Sequence, residues 1–154
     1  MIRVGFDSNV LIYSAGGERI PADLPKIALA QQMLLKLALV AEMVAPIQAI
    51  GEAVGVLSGV MRKPELQVSA TLEKWNALFE TIPTTMDVMA EALQFSRRHR
   101  FQHWDSVIVC AAVSTDCSVL LSEDMQDGFI WRGLTVINPF AETVHPLLAS
   151  LLEP

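Results

Sequence analysis

At 154 residues, with no internal repeat and no low-complexity stretch, the chain is sized for one domain with a core of its own. Apolar side chains make up 52% and charged ones only 18%, yet no apolar run reaches membrane-spanning length. A net charge of -6 argues against broad nonspecific affinity for nucleic acid, which draws on a basic surface.

A single arginine precedes Asp7, which ends the N-terminal apolar run; this does not fit a secretory leader, and a cytoplasmic protein is expected. Strand one is Ile2 to Phe6, and a short helix follows from Val10 to Ser14. The loop Gly16-Gly17-Glu18-Arg19-Ile20-Pro21 leads to Pro25, well placed to open a long helix running to about Ala41. Ile27, Leu29, Ala30, Met33, Leu34, Leu37, Ala38 and Val40 cover more than one of its faces, enough to pack on a sheet and offer an apolar surface to a partner. Met43 to Ala45 is a second strand, and Gln48 to Met61 a helix stopped by Pro64.

Further on, Ser69 to Phe79 reads as a helix, Thr81 to Pro83 as a weak third strand and Met86 to Arg98 as another helix. Asp105 to Thr115 is a buried helix with Asp105 at its opening, Ser118 to Leu121 a buried strand, and Leu134 to Ile137 the fifth strand. Cys110 and Cys117 read as two reduced core thiols, and His145, beside Pro146 in the tail, as solvated. Strands alternate with helices throughout, so a parallel sheet covered on both faces is expected.

Carboxylates recur where such a fold binds ligands, at strand ends and helix starts. Asp7 ends strand one, Asp105 opens its helix, and Asp124 follows the fourth strand. Glu52 is the one charge between Met43 and Met61, a run expected to be buried, and a buried carboxylate requires a partner. Four carboxylates at one edge can hold a hard, oxygen-loving ion such as Mg2+ or Mn2+ and so activate water against phosphorus. All but Glu52 also have a ready plainer reading: Asp7 and Asp105 as helix caps, and Asp124, like Asp127, as a loop acid. Arg97, Arg98 and Arg100 pack three of the chain's eleven basic residues into four positions just before Asp105. They read equally as a basic lip for RNA and as complements to a helix dipole. His99 and His103 are four apart, but no cysteine or acid completes a zinc set.

Asp7-Ser8-Asn9, Gln48 with Glu52, Trp104-Asp105-Ser106 and the string Ser122-Glu123-Asp124-Met125-Gln126-Asp127-Gly128 resemble the PIN-domain ribonucleases, especially the toxins of bacterial toxin–antitoxin pairs. The resemblance spans Ile2 to Phe140, and implies a PIN-like domain over 1–140 with 141–154 as a tail or short helix packing on it. It implies a three-layer α/β fold whose five-stranded parallel sheet has the order 3-2-1-4-5, bringing Asp7 and Asp124 to one crevice. It implies that Asp7, Glu52, Asp105 and Asp124 are the catalytic and metal-binding acids, supported by Asn9, Gln48 and Ser122. Asp127 stands in reserve for Asp124, and Gly51 departs from the polar residue that often precedes the family's glutamate. The activity implied is a Mg2+- or Mn2+-dependent endoribonuclease with an RNA substrate, a small antitoxin partner and a homodimeric state. Two other readings compete: a receiver-like phosphoacceptor module, and a PIN fold kept only for binding. A receiver wants adjacent acids after strand one and a lysine after strand five, where this chain has Ser8 and Asn138.

Overall fold

The computed structural model describes residues 1–153. β1 (Ile2–Phe6) leads into α1 (Ser8–Ser14), a 3-10 turn (Pro21–Asp23) and α2 (Leu24–Val40). Next come β2 (Ala41–Pro46), α3 (Ile47–Gly55) with a π turn (Val56–Val60), α4 (Glu65–Leu78) and β3 (Glu80–Ile82). α5 (Met86–His99) and α6 (His103–Ser114) form an antiparallel pair, followed by β4 (Val119–Leu121), β5 (Ile130–Trp131), β6 (Leu134–Ile137) and α7 (Pro146–Leu152).

The sheet order is β3-β2-β1-β4-β6-β5, parallel except for β5 against β6. The expected order of the five parallel strands holds, with β6 in the fifth place, and the strand count is corrected to six. The added strand comes from a hairpin turned by Arg132 and Gly133, both at positive φ (46° and 82°). Two successive left-handed residues make the tight turn that suits the twist of a hairpin, but the usual signal is Asn-Gly or Asp-Gly, so Arg-Gly gave no warning.

The central element is α6, where every residue from Ser106 to Ala112 is buried. Its alanines, valines and cysteine let the backbone approach β2 and bring Ala112 up to Gly5 of β1, beside Val4 and Phe6 of β1 and Leu120 and Leu121 of β4, which are inaccessible to solvent. Each leucine so buried contributes roughly 1.5–3 kcal/mol relative to exposure. Cys110 and Cys117 are both free and buried.

α2 turns Ala30, Met33 and Leu37 inward and leaves Leu35 and Leu39 at 73% and 81% exposure. α7 packs on α2 through the buried Leu148. His145, expected in solvent, instead caps α7: its Nδ1 accepts from the Leu147 amide at 3.2 Å. No described helix is long and apolar enough to cross a membrane.

Gly17 sits where a side chain cannot. A Cβ there would lie 2.5 Å from Ile12 Cγ2 and 2.8 Å from the Ile12 carbonyl oxygen. Gly17→Ala is therefore expected to lose about 1–3 kcal/mol of stability, read as an earlier urea midpoint.

Candidate active site at the C-terminal edge of the sheet

β1 and β4 are neighbours, and the chain crosses over in opposite directions on either side of them, so their C-terminal ends open a crevice. Phe6 pairs with Leu121, and the next residues, Asp7 and Ser122, meet there. The Asp7 amide donates to the Leu121 carbonyl at 2.9 Å, closing the strand ends together.

Asp7 is 2% exposed. Its Oδ1 accepts from the Ser8 amide at 2.6 Å, and its Oδ2 accepts from the Ser122 hydroxyl at 2.6 Å and from Asn9 Nδ2 at 3.4 Å. It is thus the N-cap of α1 as well as a crevice acid. Burial pushes its pKa up to about 6; the Ser122 and Ser8 hydrogen bonds pull it down, and the charges of Asp105 and Glu52 push it further up.

Asn9 also donates from Nδ2 to Asp124 Oδ2 at 3.2 Å, so one amide bridges Asp7 and Asp124. Its Oδ1 accepts from the Glu123 amide at 3.1 Å, which fixes the amide's orientation. The Glu123 side chain turns to the other wall, accepting from the Tyr13 hydroxyl at 3.2 Å and pairing with Lys26 Nζ at 3.0 Å.

Asp105 does not open its helix, as the sequence suggested. α6 begins at His103 with Gln102 as N-cap, so Asp105 lies inside the first turn, caps nothing and faces the cleft. Its carboxyl is raised above the ordinary range by burial and by the charges of Glu52 and Asp124, with no hydrogen bond to lower it.

Glu52 is only half-buried, which corrects the expectation of a buried run. The helix around it exposes Gly51, Gly55 and Val60 to solvent. Gln48 Nε2 donates to Glu52 Oε1 at 3.1 Å, one helical turn away.

Asp124 lies on two adjoining clefts. One of about 390 Å³ is shared with Asn9, Tyr13, Arg19 and Glu52; the other, of about 220 Å³, with His99, Arg100, Gln102 and Asp105. Asp127 is held away, its Oδ1 accepting from the Asn138 amide at 2.8 Å as an ordinary loop acid.

Of the three arginines in the predicted lip, only Arg100 lines the Asp105 cleft. Arg98 lines a separate depression with Glu91, Phe95 and Trp131, and exposed Arg97 lines neither cleft. His99 packs among Phe95, Phe129 and Trp131 and belongs to an aromatic cluster. Arg19 was missed by sequence reasoning. It stands in the α1–α2 loop, whose shape is set by Gly17 and by Asp23 Oδ2, which accepts from the Arg19 and Ile20 amides. Its only sequence signal was a lone cation between a glycine pair and a proline.

Among the described residues, no three histidine, cysteine or acidic side chains stand close enough to ligate one ion as they are placed. The donor chemistry nevertheless fits a hard divalent ion: carboxylate oxygens and amides, with both cysteines buried elsewhere. Such ions bind through a few carboxylates and keep several waters.

No family model and no curated protein matches the chain. Solved structures do. A toxin–antitoxin complex from Klebsiella pneumoniae is similar at TM-score 0.64 and 19% identity, covering 89% of this chain and 98% of that one. VapBC2 from Rickettsia felis, bound to a DNA fragment from its promoter, is similar at TM-score 0.59 and 13% identity, over 88% and 97%. VapC20 from Mycobacterium tuberculosis, a sarcin-ricin loop cleaving toxin, is similar at TM-score 0.58 and 12% identity, over 76% and 86%. At these identities the likeness is one of fold, and the PIN-like fold expected from the sequence is the fold of this chain.

Proposed function

We propose that this chain is a metal-dependent endoribonuclease, the toxin half of a toxin–antitoxin pair, with Asp7, Glu52, Asp105 and Asp124 as the acids that gather Mg2+ or Mn2+. The observation that carries this reading is Asp105, a half-buried carboxylate that neither caps its helix nor accepts a hydrogen bond, set within reach of two like charges. An acid so placed destabilises the fold unless a cation compensates it. The likeness of fold to toxins of toxin–antitoxin complexes supports the same reading.

A divalent ion bound there supplies Lewis-acid polarisation of the scissile phosphate and offsets its charge. The chain's own part is placement. Ser122 and the Ser8 amide fix the rotamer of Asp7, Asn9 ties Asp7 to Asp124, and Gln48 orients Glu52. Arg19 and Arg100, one on each cleft beside Asp124, are suited to the phosphates flanking the scissile bond. The exposed Leu35 and Leu39 on α2 suit a protein partner, either the antitoxin or a second copy. A toxin of this kind would act in the cytoplasm.

The deciding experiment is purified protein with total RNA and Mn2+, against a chelator control, with the cleaved ends mapped. Chelator-sensitive cuts leaving 5′-phosphate and 3′-hydroxyl ends are expected; intact RNA with Mn2+ present overturns the proposal. On the same assay, Arg19→Gln and Arg100→Gln should each flatten the log-log salt dependence of RNA binding by about 0.7. Arg98→Gln should leave the slope unchanged.

A further inference from the structure

Glu123 lies in sequence between Ser122, which bonds Asp7, and Asp124, so a fifth carboxylate stands beside the acid cluster. Of these five acids, it alone has a lysine or arginine at ion-pair distance among the described residues. Lys26 Nζ sits 3.0 Å from Glu123 Oε2, 5.6 Å from the centroid of the Tyr13 ring and 5.9 Å from that of Phe140. The two rings meet edge to face at 5.2 Å, and the Tyr13 hydroxyl donates to Glu123 Oε1 at 3.2 Å. α1, α2 and the loops after β4 and β6 thus close on one ammonium.

The backbone of Glu123 is joined to the site in turn. Its amide holds Asn9 Oδ1, and so aims the Asn9 NH2 at Asp7 and Asp124. From this chain of contacts we infer that Lys26, acting through Glu123, is a positioning residue for Asn9 and Asp124, and that its ammonium keeps the Glu123 carboxylate drawn to the α1–α2 wall and out of the crevice. The consequence for cleavage rests on the nuclease reading given above.

Without Lys26 a half-buried carboxylate is left without its cation beside other acids. It relieves the repulsion by moving, and the Glu123 amide and the Asn9 bridge move with it. A plain charge effect runs the other way, since losing one positive charge makes the crevice more attractive to a cation. The two explanations therefore differ in sign.

The test is Mn2+ binding by the full chain, read as free Mn2+ by electron paramagnetic resonance, with RNA cleavage followed in parallel. Lys26→Met should weaken Mn2+ binding by about tenfold, the scale of groups that orient metal ligands, and slow cleavage to a similar degree. Lys26→Arg, which keeps the ion pair, should stay within about threefold of wild type. Lys26→Met combined with Glu123→Gln removes the repelled carboxylate together with its cation, and should recover most of the wild-type affinity. A cooperative melt well above the assay temperature separates this from a loss of fold, since Lys26 itself is only partly buried, at 37% exposure. Wild-type or tighter affinity in Lys26→Met, or a double variant that stays as weak as Lys26→Met alone, overturns the inference. If wild type neither binds Mn2+ nor cuts RNA, the nuclease reading falls and takes this inference with it. If wild type does both and Lys26→Met matches it, only the inference falls.

Discussion

Asp105→Asn is expected to fold as wild type does and to lose RNA cleavage by more than about a hundredfold, since even groups that merely orient a metal's ligands are worth 10–100-fold. The substitution is nearly isosteric and breaks no hydrogen bond, because Asp105 makes none. Two small effects on stability oppose each other. Loss of a negative charge in the first turn of α6 costs about 0.3–1 kcal/mol against the helix dipole, while relief of repulsion with Glu52 and Asp124 returns a similar amount. Circular dichroism melts and the RNA assay together decide the matter. A variant that still cuts at the wild-type rate leaves Asp105 as a bystander.

The second large effect is on stability, and it changes sign with conditions. Asp7 titrates near 3.8 when unfolded and, mainly through burial, at about 6 when folded. Between those values the folded chain keeps a proton that the unfolded chain has released. Stability therefore falls as pH rises through that window, by up to about 3 kcal/mol, and is flat in this term above it. Asp7→Asn has no such term. In chelator at pH 8 the variant should melt higher than wild type, and at pH 4 or below the two should converge. The gain will be smaller than the full 3 kcal/mol or so, because an amide NH2 at the Oδ2 position would face the donor Nδ2 of Asn9. Saturating Mn2+ should reverse the order. Wild type gains about 2.7 kcal/mol at a hundredfold excess over Kd, and the variant gains little. Melts of both proteins at two pH values, with chelator and with Mn2+, read out the crossing. A variant less stable than wild type at pH 8 in chelator, with equal shifts on adding Mn2+, would make Asp7 a cap and nothing more.

What could be read in the sequence was what repeats or contrasts. Alternating apolar strands and long helices gave the parallel sheet, and the acids stood out because Asp7 ends an apolar strand and Asp105 stands just before the apolar run Val107 to Val113. What escaped was decided by tertiary contact. The helix beginning two residues before Asp105 depends on Gln102 as N-cap without a side-chain hydrogen bond, so nothing in the composition marks it. Glu52 looked buried because its neighbours are apolar, but Ile47 and Val60 are themselves exposed. Nothing in the string from Ser122 to Gly128 showed that Asp127 would accept from the Asn138 amide, eleven residues away in sequence, while Asp124 lines the clefts. Arg97, Arg98 and Arg100 formed one cluster on paper. A helix turns about 100° per residue, and the left-handed Arg100 ends α5, so the three point to different surfaces.

The sheet ends at one edge in β3, three residues long, and at the other in β5, two residues long, followed directly by Arg132 in a left-handed turn. Edges this short present too few unpaired amides to template a strand from another chain. The molecule is thereby protected from growing by edge-to-edge pairing, the route that leads to cross-β aggregates. Its exposed leucines lie on helices instead, Leu35 and Leu39 on α2 and Leu66 on α4. Association when the protein is concentrated without a partner should therefore begin between helix faces. It should be reversible on dilution, bind no amyloid dye, and be suppressed by polar substitutions at Leu35 and Leu39.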